Sequence, residues 1–289
     1  MKIGFIGAGK TGVSLGRYFE ANNIYVSGYY SKTLNHAIKA ASYVNKTAFF
    51  SCEELVKNSD IIFITTPDGT IDEIINELLK FNIQGKIICH CSGAKSSETM
   101  KPLKFKGATY CSVHPVQAMS ADHESYCKLN TTFFTLEGDD IGVITIKNIL
   151  EGMGNKVGII SPEYKSKYHG ATAVASNLIV SICQMAIDML MECGFKEDDA
   201  YIMLNPLITA NVESICKLGT SRALTGPVER CDVNTVVSHL KSLKEDDREI
   251  YRLLSKRLIK LAEVKNINRN YNELKDLLEG KNEEYTSNI

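Results

Sequence analysis

The stretch Lys2-Ile3-Gly4-Phe5-Ile6-Gly7-Ala8-Gly9-Lys10-Thr11-Gly12 decides the fold. Its first half is short and apolar, as a strand covered on both faces must be. Its second half spaces three glycines as G-x-G-x-x-G at the mouth of a helical stretch, the pattern of a dinucleotide-binding turn. Gly7 permits the tight turn, Gly9 lets the main chain approach a pyrophosphate, and Gly12 allows helix and strand to pack closely. The helix N-terminus attracts the anion. Gly7, Ala8, Gly9, Lys10, Thr11 and Gly12 are therefore the expected phosphate-side cofactor residues, the alternative being a glycine-rich turn without a ligand.

Outward from this turn, short apolar runs alternate with helical stretches as far as Ile160, the signature of stacked βαβ units on a mostly parallel sheet. Strands are expected at Lys2–Ile6, Ile24–Tyr29, Ala48–Phe50, Asp60–Thr65, Lys86–His90, Thr109–Val113, Thr132–Leu136 and Lys156–Ile160. After Ser161 the strand signal stops. A long apolar-periodic helix is expected from Glu163 to about Cys193, ending at Gly194, and a second from Lys196 to Gly219 with an interruption possible at Pro206. A loop with Leu224-Thr225-Gly226-Pro227 follows, then a helix capped by Asp232 or Asn234, then one from Asp246/Asp247 through Val264. Residues 280–289 read as a frayed polar end. The fold class is an α/β N-terminal Rossmann domain, 1–160, binding the cofactor, followed by an all-α C-terminal domain, 161–289, for substrate and dimerisation.

At 289 residues two domains are the natural division, and 44% apolar with 23% charged residues describes an ordinary globular chain. The 33 basic and 34 acidic residues nearly cancel and form no basic block, which argues against nucleic acid as a partner. Nine scattered cysteines without paired C-x-x-C spacing predict reduced thiols and no metal site. The chain enters a strand at once, with no secretory pattern, and Asn177, Gln184 and Asp188 interrupt its most apolar stretch. A cytoplasmic protein without a membrane partner is expected, and the apolar excess on the long helix predicts a homodimer through the helical domain.

Cofactor choice is read at the end of the second strand, where an acid would bind the ribose 2′-hydroxyl of NAD. Here the chain reads Tyr29-Tyr30-Ser31-Lys32-Thr33. Two hydroxyls beside a cation suit a 2′-phosphate, so Ser31, Lys32 and Thr33 point to NADP(H); a solvated Lys32 is the alternative. Thr66 and Pro67, at the carboxyl end of the fourth strand, are expected to border the cofactor's nicotinamide-side ribose. Pro67 equally suits a helix start, and Asp68 an N-cap.

Hydride transfer needs a proton donor facing the nicotinamide. Lys165, His169, Thr172 and Ser176 follow helical spacing and share one face of the long helix, with Asn177 at its border. Lys165 is the expected donor, with His169 able to share the role; Thr172 and Ser176 would contact substrate. Lys165 exposed near a helix start and His169 as a satisfied core residue are the plainer readings. His114 and Gln117, after the sixth strand, are expected to hold substrate, though ordinary turn chemistry explains them too. Arg230 could meet a carboxylate bidentately, or pair with Glu229 or Asp232 on the surface.

Together these residues resemble a group of Rossmann-like oxidoreductases whose helical C-terminal domain is catalogued as one of unknown function. The resemblance rests on the opening glycines, Thr66-Pro67-Asp68, His114-Pro115-Val116-Gln117, the run from Lys165 to Ala171 with Ser176-Asn177, and Leu224-Thr225-Gly226-Pro227. The N-terminal half is similar to deazaflavin-dependent NADP oxidoreductases and pyrroline-carboxylate reductases. Some members of the group look like an alternative ketopantoate reductase, which implies NADPH-dependent reduction of 2-dehydropantoate. The resemblance to β-hydroxyacid dehydrogenases implies that Lys165 and Asn177 are the catalytic lysine and asparagine. Cys231 stands where the group's loop commonly has glycine. The expected function is thus an NADPH-dependent reductase of a small 2-oxo acid. An imine reductase and a non-catalytic NADP-binding protein are the alternatives.

Overall fold

The computed structural model describes residues 1–119 and 125–281, and divides the chain into two compact units, 1–177 and 178–289. The first unit carries β1 (Ile3–Ile6), α1 (Lys10–Ala21), β2 (Val26–Tyr30), α2 (Leu34–Ser42), β3 (Thr47–Ala48), α3 (Cys52–Lys57), β4 (Ile61–Ile64) and α4 (Ile71–Leu78). It continues with β5 (Ile87–His90), a 3₁₀ run over Ser97–Lys106, β6 (Thr109–Pro115), β7 (Phe134–Gly138), α5 (Asp140–Gly152), β8 (Val157–Ile159) and α6 (Lys165–Val174).

The eight strands form one sheet in the order β3-β2-β1-β4-β5-β6-β7-β8. All neighbours pair in parallel except β6 with β7. The chain winds outward in both directions from β1 and β4, which lie side by side. Their carboxyl ends form the switch point at which such sheets hold ligands.

Strand alternation sorts the side chains into two cores. Phe5, Phe63, Cys89, Val113 and Leu136 face one way and pack with Leu15, Phe19 and Ile146 of α1 and α5. Ile62, Ile64, Ile88 and Tyr110 face the other way and pack with Leu55, Ile75 and Leu78 of α3 and α4. Each such side chain contributes about 1.5–3 kcal/mol when fully buried. Because both faces are covered, the strands read as nearly continuous apolar runs.

The second unit holds α7 (Asn177–Glu192), which begins at the unit border, and α8 (Glu197–Leu218), α9 (Thr220–Ala223), α10 (Pro227–Arg230), α11 (Val233–Ser242), α12 (Glu245–Lys265) and α13 (Asn272–Glu279). Val236, Leu240, Ile259, Ala262, Leu274 and Leu278 make its core. Asp232 caps α11, accepting from Thr235 N at 3.1 Å. By contrast α7 buries only Ile187 and α8 only Ala200. Val180, Ile202 and Leu207 remain 70%, 72% and 59% exposed. Residues 162–192 are long and apolar enough to cross a membrane, by length and composition.

Three expectations change. The long helix breaks at Ala175 and Ser176, where the Ser176 hydroxyl donates to the Thr172 carbonyl at 2.7 Å. A side chain thereby takes the acceptor that the helix would have given to the Ser176 N–H. Pro206 does not interrupt α8, which runs through it and forgoes the hydrogen bond that its missing N–H would have made to Ile202. The first unit also extends past residue 160, because α6 inserts Lys165 against β6 and β7. Of the terminal segment expected to fray, residues 282–289 lie outside the described residues.

Candidate active site

The glycine turn adopts the conformation its sequence demands. Gly7 has φ +109°, and a Cβ there would lie 2.8 Å from the Thr65 carbonyl carbon. A Cβ on Gly12 would lie 2.5 Å from Thr65 Oγ1 and 2.7 Å from the Gly7 carbonyl oxygen, so helix and strand can close together only without one. A Cβ on Gly9 would meet nothing within 4 Å. Gly9 is the N-cap of α1 and offers no side-chain cap, and the first turn carries no acid. The leading N–H groups of α1 are thus available to an anion.

This turn opens onto a cavity of about 750 Å³. Gly7, Ala8, Gly9 and Lys10 line one side, Ser31, Lys32 and Thr33 another, and Thr66 and Pro67 a third. Thr11 is not among the lining residues. Lys32 is exposed and its Nζ lies 3.7 Å from Glu73 Oε1. Thr66 Oγ1 is buried without a partner among the described residues. His36 and Lys39 of α2 also line the cavity and were not foreseen, although their i, i+3 spacing directly after Ser31-Lys32-Thr33 puts them on one helix face.

Beyond Pro67 the strand ends turn polar. Asp68 does not cap a helix; its Oδ2 accepts from Ser92 Oγ at 2.7 Å, in the turn that follows β5. On the sheet face that packs against α3 and α4, register sets His90 beside Ser112 and Ser112 beside Glu137. All three are at most 1% exposed. A polar row across a doubly covered sheet is costly unless its members are partnered.

Lys165 of α6 covers that row. It is 1% exposed, donates to Ser112 Oγ at 2.5 Å, and its Nζ lies 3.9 Å from Glu137 Oε1. The exposed-lysine reading is thereby excluded. Burial pushes the Lys165 ammonium below the usual lysine range, while Glu137 acts to restore it. Glu137 in turn accepts from Ser97 N and from Ser97 Oγ, both at 2.6 Å.

Burial, with Lys165 nearby, drives both His90 and His114 down to about 4, so both rings are neutral near pH 7. The Ser96 main chain lies against His90, yet neither ring nitrogen completes a hydrogen bond with a described residue. His114 Nδ1 lies 2.7 Å from the Tyr168 hydroxyl. The His114 and His169 rings sit 6.4 Å apart, edge to face, and a Cβ on Gly93 would fall 2.8 Å from His114 Nε2 and 2.6 Å from His169 Cδ2. Gly93 is what lets the two imidazoles converge.

The structure therefore brings Lys165, His169 and His114 together. The Thr172 hydroxyl turns back to the His169 carbonyl at 2.8 Å, Ser176 sits in the helix break, and Asn177 is exposed, accepting from Ser176 Oγ at 3.2 Å. The Gln117 amide donates to the Ala118 carbonyl at 3.3 Å. Arg230 belongs to the other unit and closes α10; Glu229 is engaged with Asn266 at 2.8 Å and Arg269 at 3.5 Å. His90, Ser112, Glu137, Ser97 and Tyr168 were missed. The available signal was alternation: Tyr110, Ser112 and His114 share one face of β6, and Thr135 and Glu137 share one face of β7.

Residues 1–115 match the model of a Rossmann-like domain, and residues 132–258 match that of a domain of unknown function, DUF2520. The second match takes in both Glu137 and Lys165. No curated protein sequence matches the chain. Among solved structures, a protein of Thermotoga maritima is 25% identical, with 91% of this chain and 99% of that one covered and a TM-score of 0.75. Pyrroline carboxylate reductase of Plasmodium falciparum, solved with NADP bound, is 14% identical over 91% of this chain and 98% of that one, TM-score 0.58. An imine reductase from Myxococcus stipitatus in complex with NADP+ is 16% identical over 93% and 95%, TM-score 0.60. Fold and matches together define an N-terminal Rossmann-like domain followed by a helical region.

Proposed function

We propose that the chain is an NADP(H)-dependent reductase of a small 2-oxo acid, with 2-dehydropantoate as its leading substrate. The observation that carries this reading is the buried Lys165 ammonium, hydrogen-bonded to Ser112 at the carboxyl end of the sheet that also forms the glycine cradle. The cradle fits a dinucleotide: open space at Gly9, an uncapped helix start and the unpartnered Thr66 Oγ1 all present unsatisfied groups to the cavity. Ser31, Lys32 and Thr33 would hold the 2′-phosphate, and two of the similar structures contain NADP.

The chemistry supplied by the bound cofactor is a hydride to the carbonyl carbon. Lys165 donates a proton from Nζ to the carbonyl oxygen as negative charge develops there, giving the 2-hydroxy acid. His114, neutral and placed by Tyr168, contributes a hydrogen bond to substrate and no proton, and His169 closes the same wall across Gly93.

The similarity to pyrroline-carboxylate and imine reductases supports a second reading, a cyclic imine substrate. A buried ammonium opposes the positive charge of a protonated imine, which favours the oxo acid. NADPH oxidation with ketopantoate and pyrroline carboxylate supplied in parallel distinguishes them. We expect turnover of ketopantoate, and in Lys165→Ala a rate at least about a hundredfold lower with NADPH binding retained. No turnover of any 2-oxo acid removes the proposal.

The proposal includes a cytoplasmic homodimer formed through the helical unit. The nine cysteines are free thiols, as suits a reducing compartment, and the bare faces of α7 and α8 suit a second copy of the same helices.

A further inference from the structure

We infer that Glu137 is a positioning residue which keeps Lys165 charged from inside the sheet, an inference that rests on the role given to Lys165 above. Glu137 lies at a buried register position where the strand pattern would place an apolar side chain, and only 1% of it is exposed. Its two carboxylate oxygens accept from Ser97, one from the main-chain N and one from the hydroxyl, so the group is anchored as an acceptor without help from the lysine. Lys165 spends one N–H on Ser112 and stands 3.9 Å from Glu137, too far for a hydrogen bond to the carboxylate. The coupling is one of charge. It leaves the remaining ammonium donors free to turn toward a substrate oxygen.

The other groups acting on Lys165 are one acid and five neutral side chains. Asp68, after β4, is the second acid, and it is engaged with Ser92. His90 and His114 are neutral near pH 7, and burial raises the Cys91, Cys111 and Tyr168 groups, so they are neutral too. Burial disfavours the charged form of Lys165; a carboxylate at 3.9 Å opposes that. A proton donor that arrives uncharged has nothing to give. Glu137 thus sets the pH up to which the site can work.

The test is the titration of Lys165 in full-length protein carrying ¹³C-labelled lysine, followed by NMR, beside the pH profile of kcat/KM. In Glu137→Gln the Lys165 titration should fall by about one pH unit or more, and the basic limb of kcat/KM should move down with it, so that activity recovers at lower pH. Glu137→Asp, which keeps the charge, should restore most of the shift. An unmoved Lys165 titration in Glu137→Gln, or equal activity losses at every pH in both Glu137 variants, would overturn the inference. The NMR titrations need no substrate. Shifted titrations without turnover would therefore retire the reductase reading and leave the coupling in place.

Discussion

His90 occupies a place that only a neutral imidazole can hold. It is fully buried, both ring nitrogens lack a partner among the described residues, and burial brings it to about 4 from an ordinary 6.5. Its folded pKa is depressed, so the folded state binds fewer protons than the unfolded chain between those two values. The associated stability is complete above about pH 6.5 and is lost as pH falls through about 4, amounting to about 3 kcal/mol. His114 acts in the same direction and window. Asp72, whose hydrogen bonds to Lys95 and Thr99 lower it, changes charge below the window. The melting temperature should therefore drop between pH 7 and pH 4.5, and His90→Leu should flatten that drop. An identical drop in the variant would show that His90 is not its source.

Whole elements explain where the polar residues went. The β6 sequence Thr109–Pro115 and β7 sequence Phe134–Gly138 alternate apolar and polar side chains although both faces are covered. The covering element on the polar side is α6, which answers with a lysine, a tyrosine and a histidine. The Ser176 back-bond then ends α6 and lets α7 start afresh, so Lys165 and His169 of the stripe meet the polar residues of β6 whereas Ser176 sits in the break. In the second unit, α10 ends on Cys231 in the left-handed region, at φ +59°, with its thiol donating to the Asn270 carbonyl at 3.4 Å. A side chain there costs about 1–2 kcal/mol, whereas glycine's added unfolded-state freedom costs about 0.4–1. Cys231→Gly should accordingly be neutral to stabilising by up to about 1 kcal/mol in denaturant unfolding. A clear loss of stability would mean that the thiol contact outweighs the strain.

For the molecule as a whole, the decisive contrast is between the two units. The first buries its strands on both faces, whereas α7 and α8 of the second leave Val180, Ile202 and Leu207 in water. A dimer at micromolar concentration is the expected result in sedimentation, and Val180→Asp with Ile202→Asp should shift it toward monomer while leaving the Rossmann-like unit folded. A monomeric wild-type protein would remove the dimer from the proposal.

Features that depend on neighbours in the chain were open to reading from the amino-acid order. Gly7 and Gly12 declare themselves because a Cβ at either would run into the neighbouring turn, Gly9 because it leaves open space at the helix start, and the apolar runs declare the sheet because both of its faces are covered. Lys165 was visible as a polar position on an apolar helix. Its partners were not. His90, Ser112 and Glu137 come from separate strands, and only the pairing register of β5, β6 and β7 brings them into one row, which Ser97 of the 3₁₀ run then meets at Glu137. A carboxylate reads as surface in a sequence; here tertiary packing buried Glu137 and placed the Lys165 ammonium 3.9 Å from it. The dinucleotide turn is a property of local backbone geometry, whereas the surroundings of the Lys165 ammonium depend on contacts between residues far apart in the chain.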